Sequence, residues 1–178
     1  MPTCQDLVLL AAYNADMNRK LYDAAAQLPA GELTADRGAF FGSLAGTMNH
    51  LLTADTIWLT RFTDHPAGFT ALAPLRGQPA PTSLAHSFGT ELPVLRAYRE
   101  RLDGYITALA AELRPEHLET TFVYRSTKGI AFHKHFGSVL LHFFNHQTHH
   151  RGQASTLLTQ AGVDIGVTDL LVIVPEVA

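Results

Sequence analysis

The sequence predicts an all-α fold, a four-helix bundle with a small β-hairpin before the last long helix. Three observations lead there. Four long segments repeat apolar residues at steps of three and four, the spacing of a helix with one buried stripe. The breaks between them are rich in proline and glycine. One short segment, residues 119–132, alternates at a step of two instead. With 178 residues, the chain can bury a sizeable core and reads as a single domain over 1–178, because domains run to roughly 150 residues.

Leu7, Leu10, Ala11, Asn14, Met17, Leu21 and Ala25 mark a first helix over residues 3–28, capped by Thr3 and stopped by Pro29-Ala30-Gly31. Ser43 caps a second helix running to about Thr63, with Leu44, Met48, Leu51, Trp58 and Phe62 on its stripe and Trp58 in the core. Residues 64–82 hold Pro66, Gly68, Pro74, Gly77, Pro79 and Pro81 and read as a long crossover loop. The third helix is expected from Ser83 to Leu113, with Leu84, Phe88, Leu92, Leu95, Leu102, Ile106 and Leu109 facing inward and Pro93 offsetting its first turns. In the hairpin, Phe122, Tyr124, Ile130 and Phe132 alternate around a Lys128-Gly129 turn. The fourth helix starts near His133–Gly137 and ends at Gln160, where Ala161-Gly162 supplies the cap. The tail, apolar at Leu170–Val174, is expected to lie on the bundle or on another subunit.

Composition removes several functions. The chain has 13 Lys+Arg against 16 Asp+Glu, a net charge of −3, and no basic cluster, so neither nucleic acid nor an anionic membrane surface is an expected partner. No apolar run reaches the ~18–20 residues of a bilayer span. The start, MPTCQDLVLLAAYNAD, lacks the basic segment of a signal peptide, and the single Cys4 has no internal partner; both point to the cytoplasm.

Ten histidines stand out, five of them between 135 and 150. On a helix of 3.6 residues per turn, Val139, Phe143, His146, His150, Gln153 and Leu157 share one inward stripe. Ser138, His142, Asn145, His149 and Thr156 share a polar one. His146 and His150 are thus roughly 40° apart around the axis and ~6 Å along it, so two imidazoles can meet one cation. Gln147 stands where the HExxH metalloproteases carry their general base, so a protease of that kind is not expected. His50, in mid-helix two, is the best third ligand, though alone it reads equally as a core histidine. Three imidazoles would leave open positions on the ion, the mark of a catalytic rather than a structural site.

Other residues have plainer expectations. Gln153 either bonds a ligand histidine or fills a helix interface. Asp55 forms an ion pair or faces water, with orientation of a ligand as the alternative. Gly152 would permit close helix packing. His65, His86, His117, His133 and His135 fall in or near loops and are expected to do nothing special, the His133-x-His135 pair being a weak second metal site.

Residues 145–162, NHQTHHRGQASTLLTQAG, and 47–62, TMNHLLTADTIWLTRF, together resemble the DinB/YfiT-like family, often labelled damage-inducible. LLAAYNADMNRKLYDAAAQL is similar to that family's first helix and YRSTKGIAF to its hairpin, so the resemblance covers nearly the whole chain. It implies a four-helix fold, a zinc or nickel ion on His50, His146 and His150, and a homodimer. It also implies kinship with transferases and isomerases that use a low-molecular-weight thiol. Two functions follow as expectations. One is a metal-dependent enzyme, thiol S-transferase-like or hydrolase-like, in which the metal activates a thiolate or water for a small-molecule substrate. The other is a non-catalytic, stress-associated protein that binds a metal or small ligand.

Overall fold

The computed structural model describes residues 1–176. Helix α1 spans Cys4–Ala25. Its start is a reciprocal cap: Asp6 N–H donates to Thr3 Oγ1 at 3.1 Å, and Thr3 N–H donates to the Asp6 carboxylate at 2.8 Å. It ends three residues before the expected stop, because the amides of Gln27 and Leu28 bond back only three residues, to Ala24 and Ala25. Helix α2, Leu44–Phe62, is capped by the Ser43 hydroxyl, which accepts from Gly46 N–H at 3.1 Å.

The crossover is longer than the sequence suggests. A short 3₁₀ turn at Thr70–Leu75 interrupts it, and helix α3 begins only at Leu92 and ends at Glu112. Pro93 is the reason: it fits the first turn, where no N–H is needed, but not the interior of a helix begun at Ser83. The displaced residues run along α2 instead. Asn49 accepts from Phe88 N–H at 2.6 Å and donates to the Gly89 carbonyl at 2.8 Å, and the Thr53 hydroxyl donates to the His86 carbonyl at 3.1 Å. Leu84, expected in the core, is 51% exposed.

A single turn, α4 (Pro115–Leu118), leads into β1 (Thr121–Arg125) and β2 (Ala131–His135). The strands are antiparallel, with Val123 opposite His133, and Gly129 takes a positive φ in the turn. The second strand runs three residues further than predicted and passes directly into α5, Phe136–Gln160. That helix ends in a Schellman motif: Val163 N–H donates to Leu158 O and Gly162 N–H to Thr159 O, with Gly162 at φ 80°.

Helix α1 packs on α3 and α5, and α2 packs on the same two. The core between them centres on Leu7, Leu21, Met48, Leu52, Phe62, Leu95, Phe136 and Leu158. Val163 and Ile165 lie back against it, while Leu171 and Val172 of the tail stay exposed; residues 177–178 lie outside the described residues.

Candidate metal centre

Helices α2 and α5 pack against each other, and the histidines meet where they do. Nε2 of His50 and Nε2 of His146 lie 3.2 Å apart. One ligand atom from each of His50, His146 and His150 falls within 4.8 Å of the others. Two nitrogens ~2.0–2.1 Å from one tetrahedral ion are about 3.4 Å apart, so the His50–His146 spacing suits a shared cation.

The protonation states agree with that use. Burial, reinforced by His150 beside it, pulls His50 down to about 4. Burial and the surrounding histidines pull His146 down to about 3, and burial lowers His150 in the same direction. Imidazoles held neutral, each able to offer one ring nitrogen to a shared point, are the donor set a divalent ion requires, and the residues fit one. His150 is also oriented: its Nδ1 lies 2.8 Å from Gln153 Oε1, so Nδ1–H donates there and Nε2 keeps its lone pair. The Gln153 amide N–H in turn faces His149 Nε2 at 3.2 Å.

Phe41 closes one side. Its ring stacks on His50 at 4.1 Å and meets His150 edge-on at 5.5 Å. Its backbone comes so close to α2 that a Cβ at Gly46 would sit 2.1 Å from the Phe41 carbonyl oxygen. Glycine at 46 is therefore what lets Phe41 reach the histidines. Two cavities open beside the cluster. One, of about 470 Å³, is bounded by Phe41, Asn49, His50, Leu84 and His86. The other, of about 280 Å³, is bounded by His50, Trp58, Arg61, Tyr124, His142 and His146.

The other candidates fall elsewhere. His142 and His149 are exposed, as their stripe predicts. His133 and His135 lie on the hairpin away from the cluster, with His135 Nε2 3.4 Å from Glu119. Trp58 is half-buried at the cavity wall rather than in the core, 5.0 Å from Tyr124 and 5.5 Å from His142. Gly152 is exposed, and a Cβ at that position would have no neighbour within 4 Å, so close packing does not explain it. His65 is the surprise among the loop histidines. It is buried between Phe69 and Phe136, accepts from Ala67 N–H on Nδ1 and bonds Thr120 through Nε2.

The stripe arithmetic also missed a polar network one step round α5. Gln147 and Arg151 are buried. Gln147 donates to Asp55; Arg151 donates to Asn14 and, at 3.4 Å, to Gln147. Asp55 takes a 2.6 Å contact from Arg99, which also lies 3.0 Å from Asp103; Asn14 and Asn18 donate to Asp103 at 3.1 and 2.9 Å. Asp55 is thus the ion-paired residue expected of it, and it is turned away from water. The pair pulls in opposite senses. Burial raises Asp55 to about 6, whereas Asp103 and Asp55 outweigh burial and hold Arg99 above its ordinary value. Arg99 is accordingly the permanent charge and Asp55 the end that titrates. The signal was present in the sequence: positions 140, 143, 147, 151, 154 and 158 also follow helical spacing.

These features define a class: a helix-dominated protein with a small hairpin, whose second and last long helices bring together three histidines able to hold a divalent metal. The DinB family model matches residues 1–174, and the chain belongs to the DinB family. No match was found among curated proteins or among solved structures. No helix of the described residues is long and apolar enough to cross a membrane.

Proposed function

We propose that this protein is a metal-dependent enzyme, thiol S-transferase-like or hydrolase-like, in which His50, His146 and His150 hold Zn or Ni inside a four-helix bundle of α1, α2, α3 and α5. The observation that carries the reading is a cluster of three neutral imidazoles with cavities beside it: His50 borders both and His146 borders the smaller. A fully enclosed site would instead suit a structural ion. Bound there, the cation would act as a Lewis acid, bringing a thiol or water toward ionisation near neutral pH.

The protein's own residues supply positioning. Gln153 fixes the ring of His150, and Phe41 shields the faces of His50 and His150 from water. Among the described residues no carboxylate joins the histidine group, and Asp55 is committed to Arg99. This supports chemistry in which activation comes from the metal, with a low-molecular-weight thiol as co-substrate in the transferase version. Exposed Leu171 and Val172 support a homodimer, and the single Cys4 supports a cytoplasmic setting.

Elemental analysis of the untagged parent beside His50→Ala and His146→Ala tests the site. About one Zn or Ni per chain in the parent, lost in both variants, supports it, and thiol-transfer and hydrolysis assays then separate the two chemistries. A parent that carries no metal and takes up neither ion on titration sinks the reading.

A further inference from the structure

Arg61 is the cationic group of the smaller cavity. Its guanidinium lies 4.7 Å over the Trp58 ring and 5.2 Å over Tyr124. Among the described residues it donates no hydrogen bond and meets no carboxylate, unlike Arg19, Arg37, Arg96 and Arg99, each of which has an acidic partner. Half-burial without an anion lowers its pKa, the opposite of what an ion pair does. A guanidinium held over aromatic rings by cation–π attraction keeps its N–H groups for an oxyanion. The cavity that Arg61 borders also reaches His50 and His146; Ala54, Ile57 and Phe132 give it apolar wall, and Ser126 and Thr127 of the hairpin turn add hydroxyls.

We propose that Arg61 is the anion subsite of this cavity, binding the carboxylate of a small organic acid whose aromatic or apolar body lies on Trp58 and Tyr124 and points toward the histidine cluster. The inference deepens the metalloenzyme reading and rests on it for the reaction, but the binding belongs to Arg61 and needs no metal. A bidentate arginine–carboxylate contact at a half-desolvated position is the strong form of such a bond.

Trp58 is the only tryptophan, so its fluorescence reports this cavity directly. Metal-free and Zn-loaded protein would be titrated with benzoate and with neutral benzamide, in the parent, Arg61→Gln and Arg61→Lys. The expected result is saturable benzoate binding to the metal-free parent, at least tenfold weaker in Arg61→Gln and several-fold weaker in Arg61→Lys, which keeps the charge but not the fork. Far-UV circular dichroism checks folding; if Arg61→Gln does not fold, the Arg61→Lys comparison decides. Equal affinity for benzoate and benzamide, equal affinity in parent and variants, or no saturable response to benzoate in the parent overturns the subsite. Failure of the metal reading looks different: no Zn uptake in the same samples, with the Arg61 dependence intact.

Discussion

Two polar clusters sit one residue apart on α5 and are built on opposite principles. His50 and His146 border the cavities, and ring nitrogens of His50, His146 and His150 converge within 4.8 Å of one another with no carboxylate or cation of the described residues among them. Gln147 and Arg151 face the interior, where Asp55, Arg99, Asp103, Asn14 and Asn18 answer their charges and amides from the other three long helices. The first arrangement gathers nitrogens that can converge on a ligand; the second uses most of its bonding capacity within the protein, leaving Asp55 Oδ1, Asn18 Oδ1 and Arg99 Nε without partners. Buried polar groups need partners; the charged network meets opposite charges within the chain, whereas the three imidazoles meet chiefly one another. Function is expected from the open cluster and a unique helix arrangement from the closed one.

The largest test of that contrast is Arg99→Met. It leaves Asp55 buried without its cation and should cost about 3–5 kcal/mol, read as a lower urea midpoint, while the folded fraction still takes up metal. If His146→Ala in the metal-free protein destabilises as much as Arg99→Met, the division of labour is wrong. Next, Gln153→Ala removes the group that orients His150. Metal affinity should fall by about 10–100-fold with little change in the metal-free unfolding curve, measured by competition with a chromophoric chelator. An equal loss of stability would make Gln153 part of the packing instead.

The pH dependence of the metal-free protein sharpens the comparison, because the two clusters have opposite signs. His50 and His146 are lowered from 6.5 to about 4 and about 3, so the unfolded chain binds more protons below 6.5 and their contribution to stability is lost as pH falls through that window. Asp55 is raised from 3.8 to about 6, so its contribution is greatest below 3.8 and declines as pH rises to about 6. Between pH 4 and 6 the two slopes oppose. Asp55→Asn should make stability rise more steeply with pH there, and His146→Gln should flatten the rise, both followed by urea titration. The smallest effect is expected at the surface: Arg96→Ala breaks the exposed 2.8 Å pair with Asp23 and should change stability by ~0.5 kcal/mol or less.

Much of this is legible in the sequence, and the reason lies in what each signal depends on. Thr3, Ser43 and Gly162 act within a turn of their own positions, so caps and ends can be read locally. His146 and His150 are linked by helical spacing alone, and His50 lies on the edge of its own helix's stripe. The start of α3 is harder to place because the apolar spacing through Leu84 and Phe88 competes with Pro93, and only Asn49 and Thr53 on the neighbouring helix show where that segment goes. Gln147, Arg151 and His65 escape a local reading because a polar residue can be buried only when partners distant in sequence arrive to pair with it.

The amino-acid sequence by itself determined the four long helices, the hairpin, the family and the three histidines as a set, since periodicity, capping and turn chemistry act over a few residues. The tertiary structure decided that the histidines are close enough to share an ion, that Phe41 covers them through the opening left by Gly46, and that Arg61 stands unpaired among the described residues beside the cavity that His50 and His146 line. Those features depend on which faces of separate elements meet, and on what burial then leaves without a partner.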